Sequence, residues 1–372
     1  MTNPCLQGRL LVSGNLKTLM RDVILPPLPL PVQTQLTADD QEALTNLFIR
    51  GTPENTLRAY ERDLVYITTW RQLVFRGEPE WPEREEVVLR FILDHARDLS
   101  TADGSDRARM AAEALIAAGL RRTLASPAPS TLDRRIASWR AFHRMKNLPS
   151  PFDTPIVRQT RGKAKRVAAR PKRSKSAKPI VRDILQKMLA TCEPGLRGTR
   201  DRAILLLGWA SGGRRRSEIS GLRREDIDLE EFERRGLVWI HLTETKTTTR
   251  DKTPRLVLKG IAARALVAWI DAAEIDKGPL FRPISKAGRP LVRKLSVDGI
   301  YQVVKQRLEK AGLPREFASP HGLRSGFLTQ AALDGVPVQA AMQLSLHTSL
   351  AQASGYYADV HLDQNQATDL LE

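Results

Sequence analysis

The second half of the chain carries five groups of side chains suited to chemistry on a phosphate ester. In chain order they are an arginine run behind two glycines, a turn lysine, a His-x-x-Arg sequence, a further histidine and two adjacent tyrosines: Gly212 to Ile219, Lys246, His321 to Arg324, His347 and Tyr356-Tyr357. A guanidinium binds two phosphate oxygens at once, and an imidazole moves a proton near neutral pH. Each group alone also fits an ordinary surface helix or solvated turn, so none by itself predicts an activity.

Local patterns place most of these groups on helices of a second domain, residues 180 to 372. The apolar run from Arg200 to Ser211 predicts a buried helix that stops at the two glycines, so the arginine run begins a new helix. The Ser-Pro pair before His321 is typical of a helix start. It sets His321 and Arg324 three residues apart on one helical face.

Two strand-like runs flank the turn lysine. Leu237 to Leu242 and Arg255 to Leu258 are short and apolar, and Lys246 lies in the polar segment between them. This pattern predicts a β-hairpin with Lys246 at its tip. Together with the helices, it predicts a protein that is mainly α with a small antiparallel β-sheet.

An all-α domain is predicted upstream, over residues 37 to 154. Thr52 and Pro53 are typical of an N-cap and first-turn proline, and the helix they open repeats apolar residues at helical spacing. Further helices are predicted over 85–98, over 107–120 and from Ser130, where Asp133 stands in the capping-box position. Residues 1 to 36 contain four closely spaced prolines and are predicted to form an irregular arm.

Residues 155 to 179 are predicted to form a basic linker between the two domains. From Arg158 to Lys178 there are ten Lys or Arg residues in 21 positions and no acid. Gly162, Pro171 and several serines argue against a helix, which leaves a solvated linker or one that follows a phosphate backbone. The expected DNA-binding side chains are Arg161, Lys163, Lys165, Arg166, Arg170, Lys172, Arg173 and Lys175.

The overall charge favours a polyanionic partner. The chain has 59 Lys and Arg against 42 Asp and Glu, a formal net charge of +17. Such an excess attracts nucleic acid, although it defines no chemistry. Cys5 and Cys192 are too few for a disulfide framework or a cysteine-rich zinc site, and we expect no metal and no cofactor. No run is long enough for a membrane helix or a secretory signal, so we expect a cytoplasmic protein.

The order of the five groups resembles the tyrosine recombinase (phage integrase) family. "RDRAILLLGWASGGRRRSEISGLRREDIDL" looks like the first arginine box of that family, "SPHGLRSGF" like its His-x-x-Arg box, and "LSLHTSLAQASGYYADV" like its tyrosine box. The segment from Thr52 through Arg71 is similar to its core-binding domain. The resemblance covers roughly residues 37 to 372.

The resemblance assigns a role to each position. Arg215 matches the first arginine, because it stands three residues before Glu218, the supporting acid; Arg214 and Arg216 are the neighbouring registers. The remaining matches are Lys246, His321, Arg324, His347 and, nine residues after His347, the nucleophile Tyr356. Tyr357 is the fallback nucleophile, since a Tyr-x-x-Val-like tail follows it. The family often has glycine before the second histidine, where this chain has Leu346.

The resemblance also implies a mechanism and an assembly. Tyr356 would attack a phosphodiester, His321 would accept its proton, and Lys246 would protonate the departing 5′-oxygen. The implied protein is a C-shaped clamp on double-stranded DNA that works as a homotetramer on two sites through a 3′-phosphotyrosyl link and a Holliday junction, without metal or ATP. Its tail after Tyr357 would dock on a neighbouring protomer.

Three other functions remain open from the residues alone. A type IB topoisomerase shares this chemistry but acts alone, and a DNA-binding regulator would keep the site without using it. A metal-dependent transposase needs clustered carboxylates; Asp226, Asp228 and Glu230 lie close together but are predicted to form a solvated helix end. Whether the role is integration, transposition or dimer resolution is left open, as is the DNA sequence read.

Overall fold

The computed structural model describes residues 37–77, 79–168, 176, 178–242 and 254–357, and every structural statement below concerns these residues. The chain divides into two compact units, Met1–Pro171 and Lys172–Glu372. The boundary falls inside the predicted basic linker. Within the described ranges, no helix is both long and apolar enough to cross a membrane.

The described part of the first unit is helical. Its helices in chain order are α1 (Ala38–Gly51), α2 (Glu54–Phe75), α3 (Glu85–Ala96), α4 (Arg107–Ala117), α5 (Pro129–Met145) and α6 (Pro155–Val167). Thr37 caps α1 through a reciprocal capping box with Asp40. The core joins α2, α3 and α5 around Trp70, Phe91 and Trp139, each at most 1% exposed. Apolar residues at helical spacing on these helices supply that core, as the sequence predicts.

Helix α6 occupies part of the predicted basic linker, residues 155–179, so the expectation that no helix forms there was wrong. Val157 and Ala164 are buried in the core of the first unit, so the basic run has an apolar side that packs against α3. Asp133 accepts from Arg161 Nε at 2.7 Å and lies 3.2 Å from Lys165 Nζ. Asp133 therefore anchors α6 instead of capping α5, which begins at Pro129.

The second unit holds nine further helices among its described residues, and a small sheet. The helices are α7 (Arg182–Ala190), α8 (Leu196–Ala210), α9 (Arg216–Gly221), α10 (Phe232–Arg235), α11 (Gly260–Ala272), α12 (Val297–Lys310), α13 (His321–Leu333), α14 (Val338–Ser345) and α15 (Leu350–Ser354). Helix α8 packs along α11 and also contacts α13. It is the central helix of this unit, with Ile204, Leu205 and Leu207 fully buried.

The sheet has three antiparallel strands in the order β1-β2-β3: β1 (Ile227–Asp228), β2 (Val238–His241) and β3 (Arg255–Leu258). In the register of β2 and β3, His241 faces Arg255, as expected for the two arms of a hairpin. Strand β1 replaces the predicted solvated helix end. Asp226 is 7% exposed, and its carboxylate accepts from Arg223 N at 2.8 Å. The mainly α fold with a small antiparallel sheet is confirmed.

A buried ion-pair network ties α8 to α12. The Asp201 carboxylate accepts from Arg200 Nη2 at 2.8 Å on one oxygen and from Arg307 Nη2 at 2.7 Å on the other. Arg307 also donates to the Thr191 carbonyl at the end of α7. Buried charges persist only when paired and hydrogen-bonded, as they are here. The network fixes α12, the helix that contributes one wall of the site described next.

Candidate active site

Two glycines connect α8 to α9 and bring three segments into contact. Gly212 and Gly213 have φ values of +89° and +75°, which glycine adopts without steric strain. A Cβ on Gly213 would lie 2.2 Å from Arg324 Cα, and one on Gly212 would lie 2.3 Å from the carbonyl carbon of Leu344. The glycine pair therefore allows the backbone before the arginine run to touch α13 and the end of α14.

The first two arginines of the run have different surroundings. Arg214 is 3% exposed and donates from Nη2 to the Leu344 carbonyl at 2.8 Å. Arg215 has a half-exposed side chain, and its Nη1 donates to Glu218 Oε1 at 2.6 Å. The other oxygen of Glu218 lies 3.6 Å from Arg214 Nη1. Burial lowers the pKa of Arg214, and Glu218 opposes that effect. Glu218 thus holds both guanidinium groups, with Arg215 the more accessible.

Helix α13 carries the predicted His-x-x-Arg pair. His321 begins the helix, and its backbone N–H donates to Ser319 Oγ at 3.3 Å. Arg324 is 4% exposed and donates from Nη1 to the Gly213 carbonyl at 3.2 Å. Burial, helped by the charges of Arg214 and Arg215, lowers the pKa of Arg324 to about 10. Arg324 therefore remains a cation, although a poorly solvated one.

His347 lies against Arg324 and a buried serine. Arg324 Nη2 is 3.1 Å from His347 Nε2, and Ser345 Oγ is 2.8 Å from His347 Nδ1. Ser345 is fully buried. Leu346, between the serine and the histidine, has φ of +53°. This is the left-handed region that favours glycine.

The two adjacent tyrosines point to different partners. Tyr356 Oη lies 3.3 Å from His321 Nε2, and the Tyr356 ring centroid lies 6.2 Å from that of His347. Tyr357 Oη instead donates to the Val336 carbonyl at 3.1 Å. Burial raises the pKa of Tyr357, which disfavours its phenolate. Of the two phenols, Tyr356 is the one beside the histidines and Arg324.

An open cleft of about 280 Å³ lies between the arginine run and the start of α13; its lining residues are Arg214, Arg215, Arg216, Tyr301, Ser319, Pro320, His321 and Arg324. The cleft is therefore lined by cations and by one imidazole that contacts a phenol. Such a surface binds a phosphate and positions a nucleophile against it. No group of three or more His, Cys, Asp or Glu that could hold a metal ion occurs in the described part of the chain.

Several predicted residues are not part of this cluster. Lys246 lies outside the described residues, in the segment 243–253 that connects β2 to β3. Among the predicted DNA-binding residues, Arg161 and Lys165 pair with Asp133, whereas Lys163 and Arg166 are exposed on α6. The rest of that set lies outside the described residues: Arg170, Lys172, Arg173 and Lys175.

Sequence reasoning missed four residues around the cleft. Arg214 looked like an alternative register, and its buried anchoring role depends on long-range contacts with α14. Lys305 is buried and donates to the Ala318 carbonyl at 2.7 Å, which holds the turn before α13. Tyr301 lies between Arg216 and Lys305, with the Arg216 Cζ 5.7 Å from its ring centroid. Only Ser345 had a local signal, as a polar residue in the apolar stretch before His347.

Comparison with known proteins identifies the family. Residues 180–363 match the phage integrase family, and this part of the chain belongs to it. The integrase/recombinase xerD homolog of Selenomonas ruminantium is 27% identical over 324 residues, which cover 86% of this chain and 85% of that protein. The tyrosine recombinase XerC of Pelotomaculum thermopropionicum is 29% identical over 237 residues, covering 62% and 70% respectively. The resemblance drawn from the sequence motifs is confirmed.

Solved structures share the fold. The Tn1549 transposon integrase in complex with transposon right end DNA gives a TM-score of 0.55 at 19% identity, covering 89% of this chain and 99% of that one. The XerH site-specific recombinase bound to palindromic difH substrate also gives 0.55, at 15% identity, covering 96% and 94%.

We expect Gly213→Ala to destabilise the second unit by about 2 to 5 kcal/mol, through left-handed strain and overpacking against Arg324. Gly236→Ala is the matched control, because Gly236 has φ of +65° but a Cβ there meets nothing within 4 Å. The control should cost only the strain, about 1 to 2 kcal/mol. Calorimetric unfolding of the full chain measures both. Equal losses of unfolding free energy in the two variants would contradict the close approach of Gly213 to Arg324.

The ring of His347 should be neutral at pH 7. Burial, followed by the charges of Arg324 and Arg215, lowers its pKa from 6.5 to about 4. Because the folded pKa is the lower one, its contribution to stability is present above about pH 6.5 and is lost as the pH falls through about 4. An NMR titration of labelled protein, assigned with His347→Gln, should give a midpoint near 4. A midpoint near 6.5 would show that the ring is neither buried nor close to Arg324.

Proposed function

We propose that this protein is a site-specific DNA recombinase that cuts and rejoins DNA through a 3′-phosphotyrosyl intermediate, with Tyr356 as its nucleophile. The observation that supports this most is the 3.3 Å separation between Tyr356 Oη and His321 Nε2 beside the arginine-lined cleft. Membership of residues 180–363 in the phage integrase family supports the same reaction class.

Attack on the phosphodiester needs its non-bridging oxygens to be neutralised. Arg215 and Arg324 would bind them, and His347, as a neutral ring, would add a hydrogen bond. Arg324 faces His347 and the Gly213 carbonyl in this structure. The side chains of Arg324 and His347 would therefore turn partly toward the phosphate when it binds. Hydrogen bonds of a site without substrate commonly tighten only when the substrate binds.

The nucleophile requires removal of a proton. A tyrosine has an ordinary pKa of about 10, so little phenolate forms at neutral pH without a base to accept the proton. His321 would accept the proton from Tyr356 Oη as the oxygen bonds to phosphorus. The fallback nucleophile Tyr357 is less suited, because its hydroxyl is bonded to the Val336 carbonyl.

The leaving group needs a proton in return. As the bond from phosphorus to the 5′-oxygen breaks, Lys246 would protonate that oxygen and give a free 5′-hydroxyl. The phosphotyrosyl ester keeps the phosphodiester's bond energy. The 5′-hydroxyl of another strand can therefore reverse the step, without ATP or a metal ion.

The assembly that we propose is a homotetramer on two double-stranded DNA sites, which exchanges strands through a Holliday junction in the cytoplasm. The net charge of +17 supports a DNA partner. The xerD homolog and the XerH recombinase are named as recombinases, and XerH is bound to its difH site. The biological role, whether integration, transposition or dimer resolution, would follow from the DNA site.

A nicked duplex that carries the cognate site tests the reaction and the nucleophile together, because the nick traps the covalent intermediate. We expect wild type and Tyr357→Phe to give a shifted band on a denaturing gel in EDTA, and Tyr356→Phe to give none. Tyr357→Phe is the matched control, since it removes one phenol from the same turn. It should keep adduct formation within about fivefold, because it loses one exposed hydrogen bond of roughly 1 kcal/mol or less.

Other outcomes distinguish the alternatives. An adduct lost only in Tyr357→Phe would keep the reaction and move the nucleophile by one residue. Relaxation of supercoiled DNA without a specific site would indicate a type IB topoisomerase. No adduct from wild type, on a site that it binds, would indicate a non-catalytic DNA-binding regulator and would reject the proposed function.

The tail is proposed to link protomers. Removal of residues 360–372 should leave binding to a single site unchanged and reduce synapsis of two sites at least about tenfold, a loss of roughly 1.4 kcal/mol. Gel-shift titration and a two-site pairing assay measure these separately. Full recombination by the truncated chain would show that the tail makes no necessary contact.

A further inference from the structure

We propose that an exposed basic hairpin on the second unit is a binding site for the phosphodiester backbone of DNA, separate from the cleft that holds the scissile phosphate. The basic hairpin comprises residues 283–294 and presents Lys286, Arg289, Arg293 and Lys294. The choice of DNA as ligand rests on the proposed function. The site itself rests on the geometry and charge of these residues.

The backbone of the basic hairpin is held in a defined turn. Ile284 pairs with Pro290 in an antiparallel bridge, and Leu291 N donates to the Pro283 carbonyl at 2.8 Å. At the tip, Ser285 N donates to the Arg289 carbonyl at 2.9 Å, and Arg289 N donates to Ser285 Oγ at 3.1 Å. A fixed turn presents its cations with little loss of backbone entropy when a ligand binds.

The four cations are exposed and make no ion pair with any described residue. Residues 282–298 contain one carboxylate, Asp298, at the start of α12. Some other exposed cations of this unit are paired: Arg235 donates to Glu231 at 2.8 Å and Lys310 to Glu193 at 2.8 Å. Unpaired like charges repel one another, so an anionic ligand stabilises the basic hairpin.

The base of the basic hairpin is fixed to α9, the helix that follows the arginine run. Ser220 Oγ donates to the Leu295 carbonyl at 2.6 Å, and Leu295 N donates to the Phe281 carbonyl at 2.7 Å. Lys294 lines a second cleft together with Glu218, which also bonds Arg215. Arg215 and Lys294 therefore both lie near Glu218 of this short helix.

This placement favours a nucleic-acid strand over an acidic peptide. A strand that Arg215 holds by one phosphate carries further phosphates at short, regular intervals, and Lys294 and the other hairpin cations can neutralise these. Binding of this kind depends on charge and spacing and reads no base sequence. The basic hairpin would thus add affinity and register without adding specificity.

The test replaces all four cations with glutamine: Lys286→Gln, Arg289→Gln, Arg293→Gln and Lys294→Gln. Fluorescence anisotropy on a duplex with the cognate site gives the affinity over a series of salt concentrations. The slope of log K against log salt is negative, and each lost phosphate contact makes it less steep by about 0.9. We therefore expect the magnitude of the slope to fall by about 2 to 4. At moderate salt the affinity should fall by about 10- to 100-fold.

A second quadruple variant controls for net charge: Arg182→Gln, Arg235→Gln, Lys310→Gln and Arg315→Gln. Each of these cations is bonded to a carboxylate in the structure. The control removes the same total charge but should change the slope by less than about 1. Equal changes in both variants would show a net-charge effect and overturn the proposal, as would a wild-type slope in the hairpin variant.

Neutral methylphosphonates in the duplex distinguish local contact from long-range attraction. Replacing the phosphates that touch the basic hairpin should weaken wild type and leave the hairpin variant unchanged, which is the coupling expected of a direct contact. Additive losses at every phosphate would overturn the proposal. Adduct formation by the hairpin variant at saturating concentration should equal wild type. Absence of adduct from wild type would reject the proposed function without affecting the salt comparison.

Discussion

The site depends on holding several like charges together in a place that water reaches poorly. Arg214, Arg215 and Arg324 converge across the Gly212-Gly213 turn, and the lowered pKa of Arg324, about 10, records the unfavourable environment. Glu218 and the carbonyls of Gly213 and Leu344 offset part of the repulsion. Because the folded protein retains this repulsion, a phosphate bound as proposed would relieve it. The positive charges are therefore already in place before a phosphate binds, which is the electrostatic preorganisation of the site.

The protonation state of His347 follows from its burial beside that cluster of cations. His347 is kept neutral by burial and by Arg324 and Arg215, with a pKa of about 4. A neutral imidazole can donate one hydrogen bond and accept another, and Ser345 Oγ can complete either arrangement, because a hydroxyl both donates and accepts. His321, three residues before Arg324 on the same helix, contacts the Tyr356 phenol. Arg324, which helps to keep His347 neutral, also lies near the Tyr356 phenol.

Local signals in the sequence predicted much of this arrangement. The apolar run of α8 and the glycine pair after it predicted where that helix ends. The two strand-like runs predicted β2 and β3 within one or two residues of their observed bounds. The basic segment was misjudged because charge and a glycine hid two apolar residues, Val157 and Ala164, that bury one side of α6. The role of Arg214 could not be predicted either, since its carbonyl partner, Leu344, is 130 residues away. Properties set by neighbours in sequence were accessible; those set by contacts between distant segments were not.

The departure at Leu346 shows how such long-range constraints act on one residue. Its left-handed backbone, with φ of +53°, turns the chain out of α14 and directs His347 toward Arg324. A residue with a side chain pays about 1 kcal/mol or more for this conformation relative to glycine. Leucine offsets part of that strain, because its side chain packs against the core of the second unit. Ser345, the fully buried residue before Leu346, contacts the His347 ring through its hydroxyl. The turn and its two flanking contacts thus act together, and the geometry required at His347 decides which backbone conformation Leu346 must adopt.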